Sequence, residues 1–272
     1  MNTSNHPTGL DSNGFILSEV SQENILPQYR SVIDASIAAL KTTLPDVVHS
    51  VYVYGSVARG NAIPGKSDLD MLVIFKRKLT QQEQDALKGL QESLSSQHKT
   101  LVREVGIADA TCTYDEMLDS TNKYGWGAYL KILCVCVDGE DLTERFEQFK
   151  ISPDIAIGFN GDASKAIQSA IEKITNAKTD DDAAKAAAIV ARKLIRTCYM
   201  MVMTRAQVWT TRLSEQAELF LRYFPEKQGF IRTLQSWIDT PSTDREAILK
   251  VLRGDCRWVI DNFEAEAKVT GD

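Results

Sequence analysis

Asp68 and Asp70 are the residues whose type and spacing most directly indicate chemistry. They lie at the entry of the strand-like run Leu69 to Phe75, and the two-residue period of a strand places both carboxylates on one face, roughly 6–7 Å apart along the chain. Two carboxylates at that separation repel each other unless a cation lies between them. A hard divalent ion fits, since Mg²⁺ binds carboxylate oxygens together with substrate phosphates and water. We therefore predict that Asp68 and Asp70 bind Mg²⁺.

A glycine-containing segment upstream is suited to phosphate groups. The run Val51 to Tyr54 is β-branched and aromatic and predicts a strand, after which Gly55 and Ser56 precede a helix. Gly55 lets an anion approach the backbone closely, and the N–H groups of a helix start carry partial positive charge. We expect Ser56 to cap this helix through its hydroxyl. The segment predicts a phosphate site beside the carboxylates, to which Arg59 and Ser67 add charge and a hydroxyl.

Each of these features alone also occurs in purely structural roles. A Gly-Ser pair after a strand is common in turns, and an Asp-x-Asp sequence at a strand entry is often a solvated edge. Here they occur together: a strand, Gly-Ser, ten intervening residues, the sequence Ser-Asp-Leu-Asp and a second strand. Because this combination is uncommon by chance, we interpret it as a nucleotide and metal site.

At these residues the chain resembles the nucleotidyltransferase superfamily that includes DNA polymerase beta. Gly55, Ser56, Asp68 and Asp70 match the family pattern of Gly-Ser, a spacer and Asp-x-Asp. The resemblance implies a small mixed sheet with helices on one face and the site on the other. It also implies one or two Mg²⁺ ions and ATP as co-substrate, with a hydroxyl attacking the α-phosphate and pyrophosphate leaving. Such chemistry depends on positioning and charge neutralisation.

The resemblance further implies a third carboxylate on a later strand. The run Leu101 to Thr113 predicts that strand and contains Glu104 and Asp109, which lie on opposite faces by parity. Asp109 precedes the acidic helix start at Asp115 by a spacing similar to that in kanamycin nucleotidyltransferase. Glu104 begins a Glu-Val-x-Ile pattern similar to that of the streptomycin/spectinomycin adenylyltransferases. We favour Asp109 as the group that accepts the proton of the attacking hydroxyl or binds a second ion, with Glu104 as the alternative.

Composition excludes several other classes. The chain has 272 residues, of which 43% are hydrophobic and 25% charged, which is typical of a globular protein. Five cysteines without a Cys-x-x-Cys motif argue against a disulfide framework, and three histidines argue against a histidine-rich metal site. The net charge of −6 argues against broad nucleic-acid binding. With neither a membrane-length apolar run nor a visible export signal, we expect a cytoplasmic protein without a membrane partner.

The order of predicted elements indicates an α+β protein in two domains. We expect a loose segment at 1–22, an N-terminal nucleotidyltransferase domain with a small mixed sheet at 23–150, and an all-α helical bundle domain at 151–272. Helices are predicted in the first domain from Ile25 or Pro27 to Leu44 and from Thr80 to Gln97. Helical periodicity in the second half covers 162–177, 180–206, 211–224, 226–239 and 243–267.

One predicted helix of the bundle carries a stripe of cations. Lys185, Ile189, Arg192 and Arg196 follow each other at spacings of three and four. Cations so placed destabilise a helix unless an anion lies opposite, either a bound triphosphate or the acids of a neighbouring helix. The region around Arg196 also resembles the helical domain that contributes basic residues to the nucleotide in aminoglycoside adenylyltransferases. We therefore include Arg196 among the nucleotide-binding residues.

The aromatic residues Tyr124, Trp126 and Tyr129 have two interpretations. They could stack on a nucleotide base, or they could form core between the two domains, which is the interpretation that we favour.

The partners expected are a nucleoside triphosphate and an acceptor that the sequence does not identify. We expect AMP to move from ATP to a hydroxyl of a small molecule, with an aminoglycoside-like acceptor as one option. The alternatives are a transferase that modifies a protein or RNA, as in toxin–antitoxin systems resembling this family, and a non-catalytic nucleotide-binding module. The lack of a basic run argues against RNA, and the intact aspartate pair argues against the module.

Overall fold

The computed structural model describes residues 8–107 and 111–271. Contacts divide this part of the chain into two compact units, the first formed by residues 16–149 and the second by residues 8–15 and 150–271. None of the helices described is both long enough and apolar enough to span a bilayer. The division into segments 1–22, 23–150 and 151–272 stays a prediction.

The first unit is built on a mixed sheet. Its strands are β1 (Val48–Tyr54), β2 (Leu69–Phe75), β3 (Val105–Gly106), β4 (Thr111–Thr113) and β5 (Cys134–Gly139). β1 lies between β5 and β2 and is antiparallel to both, while β3 and β4 both pair in parallel with the other edge of β2. β2 has the bounds that its β-branched and apolar run predicts.

Alternate residues of β2 enter two separate cores. The odd-numbered residues pack with helices α1 (Pro27–Thr43) and α3 (Gln81–Gln97). Leu72 and Ile74 pack on the other face with α4 (Tyr114–Leu118) and α5 (Ala128–Leu133). Helices therefore lie on both faces, not on one as the resemblance implied. Because side chains alternate along a strand, Asp70 shares this second face, at the end where β2 begins.

The run Leu101 to Thr113, predicted as one strand, forms the two short strands β3 and β4. Asp70 pairs with Gly106 and Val73 pairs with Thr111, so the outer chain contains two more residues than β2 over this stretch. A single regular ladder is therefore impossible here. Residues 108–110, which include the predicted Asp109, lie outside the described residues.

Helix α3 begins with a reciprocal cap. The hydroxyl of Thr80 accepts the N–H of Glu83 at 3.3 Å, and the carboxylate of Glu83 accepts the N–H of Thr80 at 2.8 Å. Arg77 donates to both carboxylate oxygens of Glu83, at 2.9 and 2.7 Å. This arrangement satisfies N–H groups that have no acceptor inside the helix.

The second unit is helical and centred on one long helix. Helix α8 (Asp180–Ala206) packs against each of the other helices of this unit that are named below. The remaining helices are α6 (Pro153–Asn160), α7 (Ala163–Thr175), α9 (Leu213–Tyr223), α10 (Gln228–Asp239), α11 (Arg245–Arg253) and α12 (Asp255–Ala267). The periodicity predicted α7 to α12, except that the segment 243–267 is divided into α11 and α12 at Gly254, whereas α6 lies outside the predicted segments. The α+β class with a helical second half is confirmed.

Candidate active site

The backbone at the start of helix α2 (Gly55–Ala58) lies against the Asp70 carboxylate. This helix follows β1 without a loop, and Gly55 has a φ of 72°, in the left-handed region that favours glycine. A Cβ atom on Gly55 would overlap Oδ2 of Asp70. Glycine at this position therefore allows a carboxylate and the N–H groups of a helix start to lie side by side.

The cap predicted for Ser56 does not form. Helix α2 begins at Gly55, Tyr54 occupies the N-cap position, and no side chain caps the helix. Ser56 instead lies in the first turn and is partly exposed. The prediction was wrong because Gly55 itself opens the helix rather than ending the strand as a turn residue. Ser56 remains in the first turn, where helix N–H groups lack acceptors within the helix.

The two aspartates flank a buried anchor. Leu69 is fully buried, and its N–H donates to the carbonyl oxygen of Glu104 at 2.8 Å. Asp68 and Asp70 on either side are partly exposed. Because Leu69 enters the first core, Asp70 lies on the opposite face of β2; Asp68 directly precedes this strand, and its place on the same face stays a prediction.

Arg103, which the sequence analysis did not single out, is bound to Asp68. Its Nε donates to Oδ1 at 2.9 Å and its Nη2 donates to Oδ2, while its backbone N–H donates to the carbonyl oxygen of Ser67 at 2.9 Å. The hydrogen bond to Asp68 raises the pKa of Arg103, and the charges of Asp68, Glu104 and Asp70 raise it further. Arg103 is therefore the counter-ion of an acidic corner. The contact spans 35 residues of sequence, which no local spacing rule predicts.

Ser67 and Arg59 stand next to the elements that they were predicted to assist. The hydroxyl of Ser67 accepts the N–H of Ile63 at 2.9 Å, which shapes the loop that delivers Asp68. Arg59 directly follows α2, and its N–H donates to the carbonyl oxygen of Gly55 at 3.2 Å. Their contacts with phosphate groups stay predictions.

Glu104, the alternative third carboxylate, is exposed and bound to α3. Its Oε1 accepts a hydrogen bond from Nε2 of Gln91 at 3.1 Å. The Oε1 of Gln91 in turn accepts the N–H of Ile107 at 2.9 Å. Across the described ranges there is no group of three or more His, Cys, Asp or Glu side chains that could hold a metal. The choice between Glu104 and Asp109 stays a prediction.

An aromatic cluster borders Asp70 on the second face of the sheet. Tyr54 pairs with Asp70 across β1 and β2, and its ring meets Tyr129 edge-on at 5.5 Å between centroids. Tyr129 also meets Trp126 at 6.2 Å, whereas Tyr124 packs on another aromatic ring of this unit. Burial raises the pKa of Tyr129 well above its usual value, and Tyr54 and Asp70 raise it further. Trp126 and Tyr129 are thus core of the first unit, and the Tyr129 phenol stays protonated.

A comparison with known protein families covers the part of the chain that contains these residues. Residues 34–121 match the family model of the nucleotidyltransferase domain, and this range contains Gly55, Asp68, Asp70 and Arg103. The chain carries a nucleotidyltransferase domain. No curated protein matches the sequence.

The nucleotidyltransferase fold extends over the helical half. The crystal structure of spectinomycin adenyltransferase AAD(9) from Enterococcus faecialis, with ATP and spectinomycin, is similar to this chain with a TM-score of 0.52 and 14% sequence identity. The similarity covers 88% of this chain and 99% of that chain. The chain therefore carries a nucleotidyltransferase domain, and its fold resembles that of this adenyltransferase over most of its length.

The donor set of the nucleotidyltransferase domain fits a divalent cation. Mg²⁺ usually binds one or two protein carboxylates and completes its shell with water and substrate phosphates. Asp68 already holds a cationic partner in Arg103. Asp70 faces the start of α2, where the missing Cβ of Gly55 lets its carboxylate lie against the backbone.

Arg196 lies in the second unit. It is exposed on the side of α8 that also carries the exposed Lys185 and Ile189 and the partly exposed Arg192, as predicted. Lys185 pairs with Asp181 one turn earlier, at 2.6 Å. The role of Arg196 in nucleotide binding stays a prediction.

Proposed function

We propose that the protein is a Mg²⁺-dependent adenylyltransferase that transfers AMP from ATP to a hydroxyl group of a small molecule and releases pyrophosphate. The carrying observation is the contact between the start of α2 at Gly55 and the Asp70 carboxylate. Attack on an α-phosphate needs phosphate-binding N–H groups and a charge-neutralising metal at the same place. The fold similarity to a spectinomycin adenyltransferase crystallised with ATP and spectinomycin supports ATP and an aminoglycoside-like acceptor.

The residues of this site bind two parts of the substrate complex, the metal ion and the triphosphate. Asp68 and Asp70 hold Mg²⁺, which when bound neutralises charge on the triphosphate and on the leaving pyrophosphate. Gly55, Ser56 and Ser67 bind the β- and γ-phosphates, while Arg59 and Arg196 add positive charge. These groups fix the triphosphate so that its α-phosphorus faces the acceptor hydroxyl.

The transfer itself is a displacement at phosphorus. The acceptor oxygen forms a bond to the α-phosphorus, the bond from that phosphorus to the bridging oxygen breaks, and pyrophosphate leaves. Asp109 accepts the hydroxyl proton, or else Glu104 does. A carboxylate positioned in this way typically contributes about 10²–10⁴-fold to the rate.

The test is a transfer assay with α-labelled ATP or GTP, Mg²⁺ and three acceptor pools: aminoglycosides, lincosamides and cell extract. We expect a labelled product of small mass from ATP with the wild-type protein, formed on the order of 10²–10³-fold more slowly by Asp70→Asn. Asp85→Asn is the matched control, since Asp85 is an exposed acid on α3. A labelled protein band would contradict the small-molecule acceptor. Unchanged turnover in Asp70→Asn would contradict the site.

A further inference from the structure

Arg103 forms an ion pair with Asp68, one of the two carboxylates that the proposed function assigns to Mg²⁺. Its fork engages both oxygens of Asp68, so that neither oxygen is free of the guanidinium. Its backbone N–H is also held by the carbonyl oxygen of Ser67 at 2.9 Å. The fold therefore places the backbone of Arg103 beside that of Ser67, within reach of Asp68.

A metal ion and this guanidinium compete for Asp68. A divalent cation needs a carboxylate oxygen as ligand and is repelled by a positive charge a few ångströms away. The side chain of Arg103 is 60% exposed, whereas that of Asp68 is 26% exposed. The arginine can therefore move away without disturbing a core, while the aspartate stays in place.

We propose that Arg103 is a positioning residue that holds Asp68 until metal and nucleotide arrive, and that its guanidinium then passes to the phosphate groups of the nucleotide. The inference rests on the proposed function, because it takes Asp68 and Asp70 as the metal site. A planar guanidinium binds phosphate oxygens in the same two-pronged way as a carboxylate. The metal displaces Arg103 from Asp68, and the phosphate groups of the nucleotide then bind the displaced guanidinium. Each ligand therefore increases the affinity for the other.

The first test measures Mn²⁺ binding to the full-length protein without nucleotide, by electron paramagnetic resonance. We expect Arg103→Gln to bind Mn²⁺ about fivefold more tightly than the wild type, the fold-change that corresponds to a partly exposed ion pair. A merely structural role would weaken metal binding instead. Arg77→Gln is the matched control, because Arg77 forms the same kind of pair with Glu83, and it leaves the Mn²⁺ affinity unchanged.

The second test measures the affinity for an ATP analogue with a non-cleavable α,β-bridge at saturating Mg²⁺, by calorimetry. We expect Arg103→Gln to bind it about tenfold more weakly, since a charge-assisted contact with phosphate is lost. Arg103→Lys keeps the charge without the fork and falls between the two in both tests. It also serves if Arg103→Gln does not fold, which thermal melting in a chelator reveals.

The outcomes separate the inference from the proposed function. Equal Mn²⁺ affinity in Arg103→Gln and wild type, with binding lost in Asp70→Asn, overturns the inference and leaves the metal site intact. Unchanged affinity for the ATP analogue overturns the passage of Arg103 to the phosphates. Mn²⁺ binding that does not differ between wild type and Asp70→Asn overturns the proposed function itself.

Discussion

Strand β2 has an arginine–carboxylate pair near each end, and the two pairs have different surroundings. At its beginning Arg103 binds Asp68, next to a second carboxylate and the glycine start of α2. Beyond its other end Arg77 binds Glu83, whose carboxylate also accepts the N–H of Thr80 and so caps α3. The Arg77–Glu83 pair stabilises a helix, because the carboxylate also accepts a backbone N–H group. The Arg103–Asp68 pair indicates a functional site, because a second carboxylate, that of Asp70, lies nearby.

This difference has an energetic consequence. Like charges placed close together lower stability, and proteins retain them where function requires them. Substitution at the beginning of β2 should therefore reduce activity more than stability, while substitution beyond its other end should do the reverse.

The largest effect is expected for Asp70→Asn. Loss of this proposed metal ligand should lower nucleotidyl transfer on the order of 10²–10³-fold, as is typical when transition-state charge loses its stabilisation. The free energy of unfolding should change by less than about 1 kcal/mol, because one of two repelling charges is removed. Pyrophosphate release and urea denaturation measure the two quantities. A cooperative loss of the fold would contradict the comparison.

Gly55→Ala should reduce both activity and stability. The left-handed φ and the overlap of a Cβ with Asp70 should lower the free energy of unfolding by about 1–3 kcal/mol. Gly89→Ala is the control in helix α3, where a Cβ would meet no atom within 4 Å, and it should raise that free energy by about 0.5–1 kcal/mol. Similar changes in the two variants would show that Gly55 carries no special constraint.

Thr80→Ala tests the other end of the comparison. Loss of the reciprocal cap should lower the free energy of unfolding by about 1 kcal/mol, as measured by urea denaturation. The rate of nucleotidyl transfer should not change. A loss of activity without a loss of stability would mean that this end of β2 also serves the site.

The smallest effect is a pH dependence at Glu83. Its pKa is lowered from the usual 4.5 to about 2, chiefly by the hydrogen bonds from Arg77 and then by that from the backbone of Thr80. Since the folded-state pKa is depressed, the stabilisation is complete above pH 4.5 and is lost as the pH falls towards 2. Acid melts of wild type and Glu83→Gln should therefore converge at low pH. A constant difference between them would contradict this linkage.

The sequence predicted what depends on local pattern. The bounds of β2 follow from its apolar run, and α8 follows from helical periodicity. The division of the segment 243–267 at Gly254 was not predicted, because the periodicity is similar on both sides.

What the sequence could not predict depends on contacts between distant segments. Near the end of β3, two backbone N–H groups donate to side chains of α3. The N–H of Val105 donates to the hydroxyl of Ser95, and the N–H of Ile107 donates to Oε1 of Gln91, both at 2.9 Å. The pairing of Arg103 with Asp68 likewise becomes visible only when β3 lies beside β2. Such partners leave no periodic signal in the chain.

The central claim is that the carboxylates at the beginning of β2 and the glycine start of α2 form a metal-dependent adenylyl-transfer site. The most direct measurement is the transfer of label from α-labelled ATP to a small-molecule acceptor pool, with Mg²⁺ and with a chelator, by the wild type and by Asp68→Asn. We predict that label is transferred and pyrophosphate released only by the wild type and only when Mg²⁺ is present. Equal transfer in the chelator, or in the Asp68→Asn variant, would contradict the account.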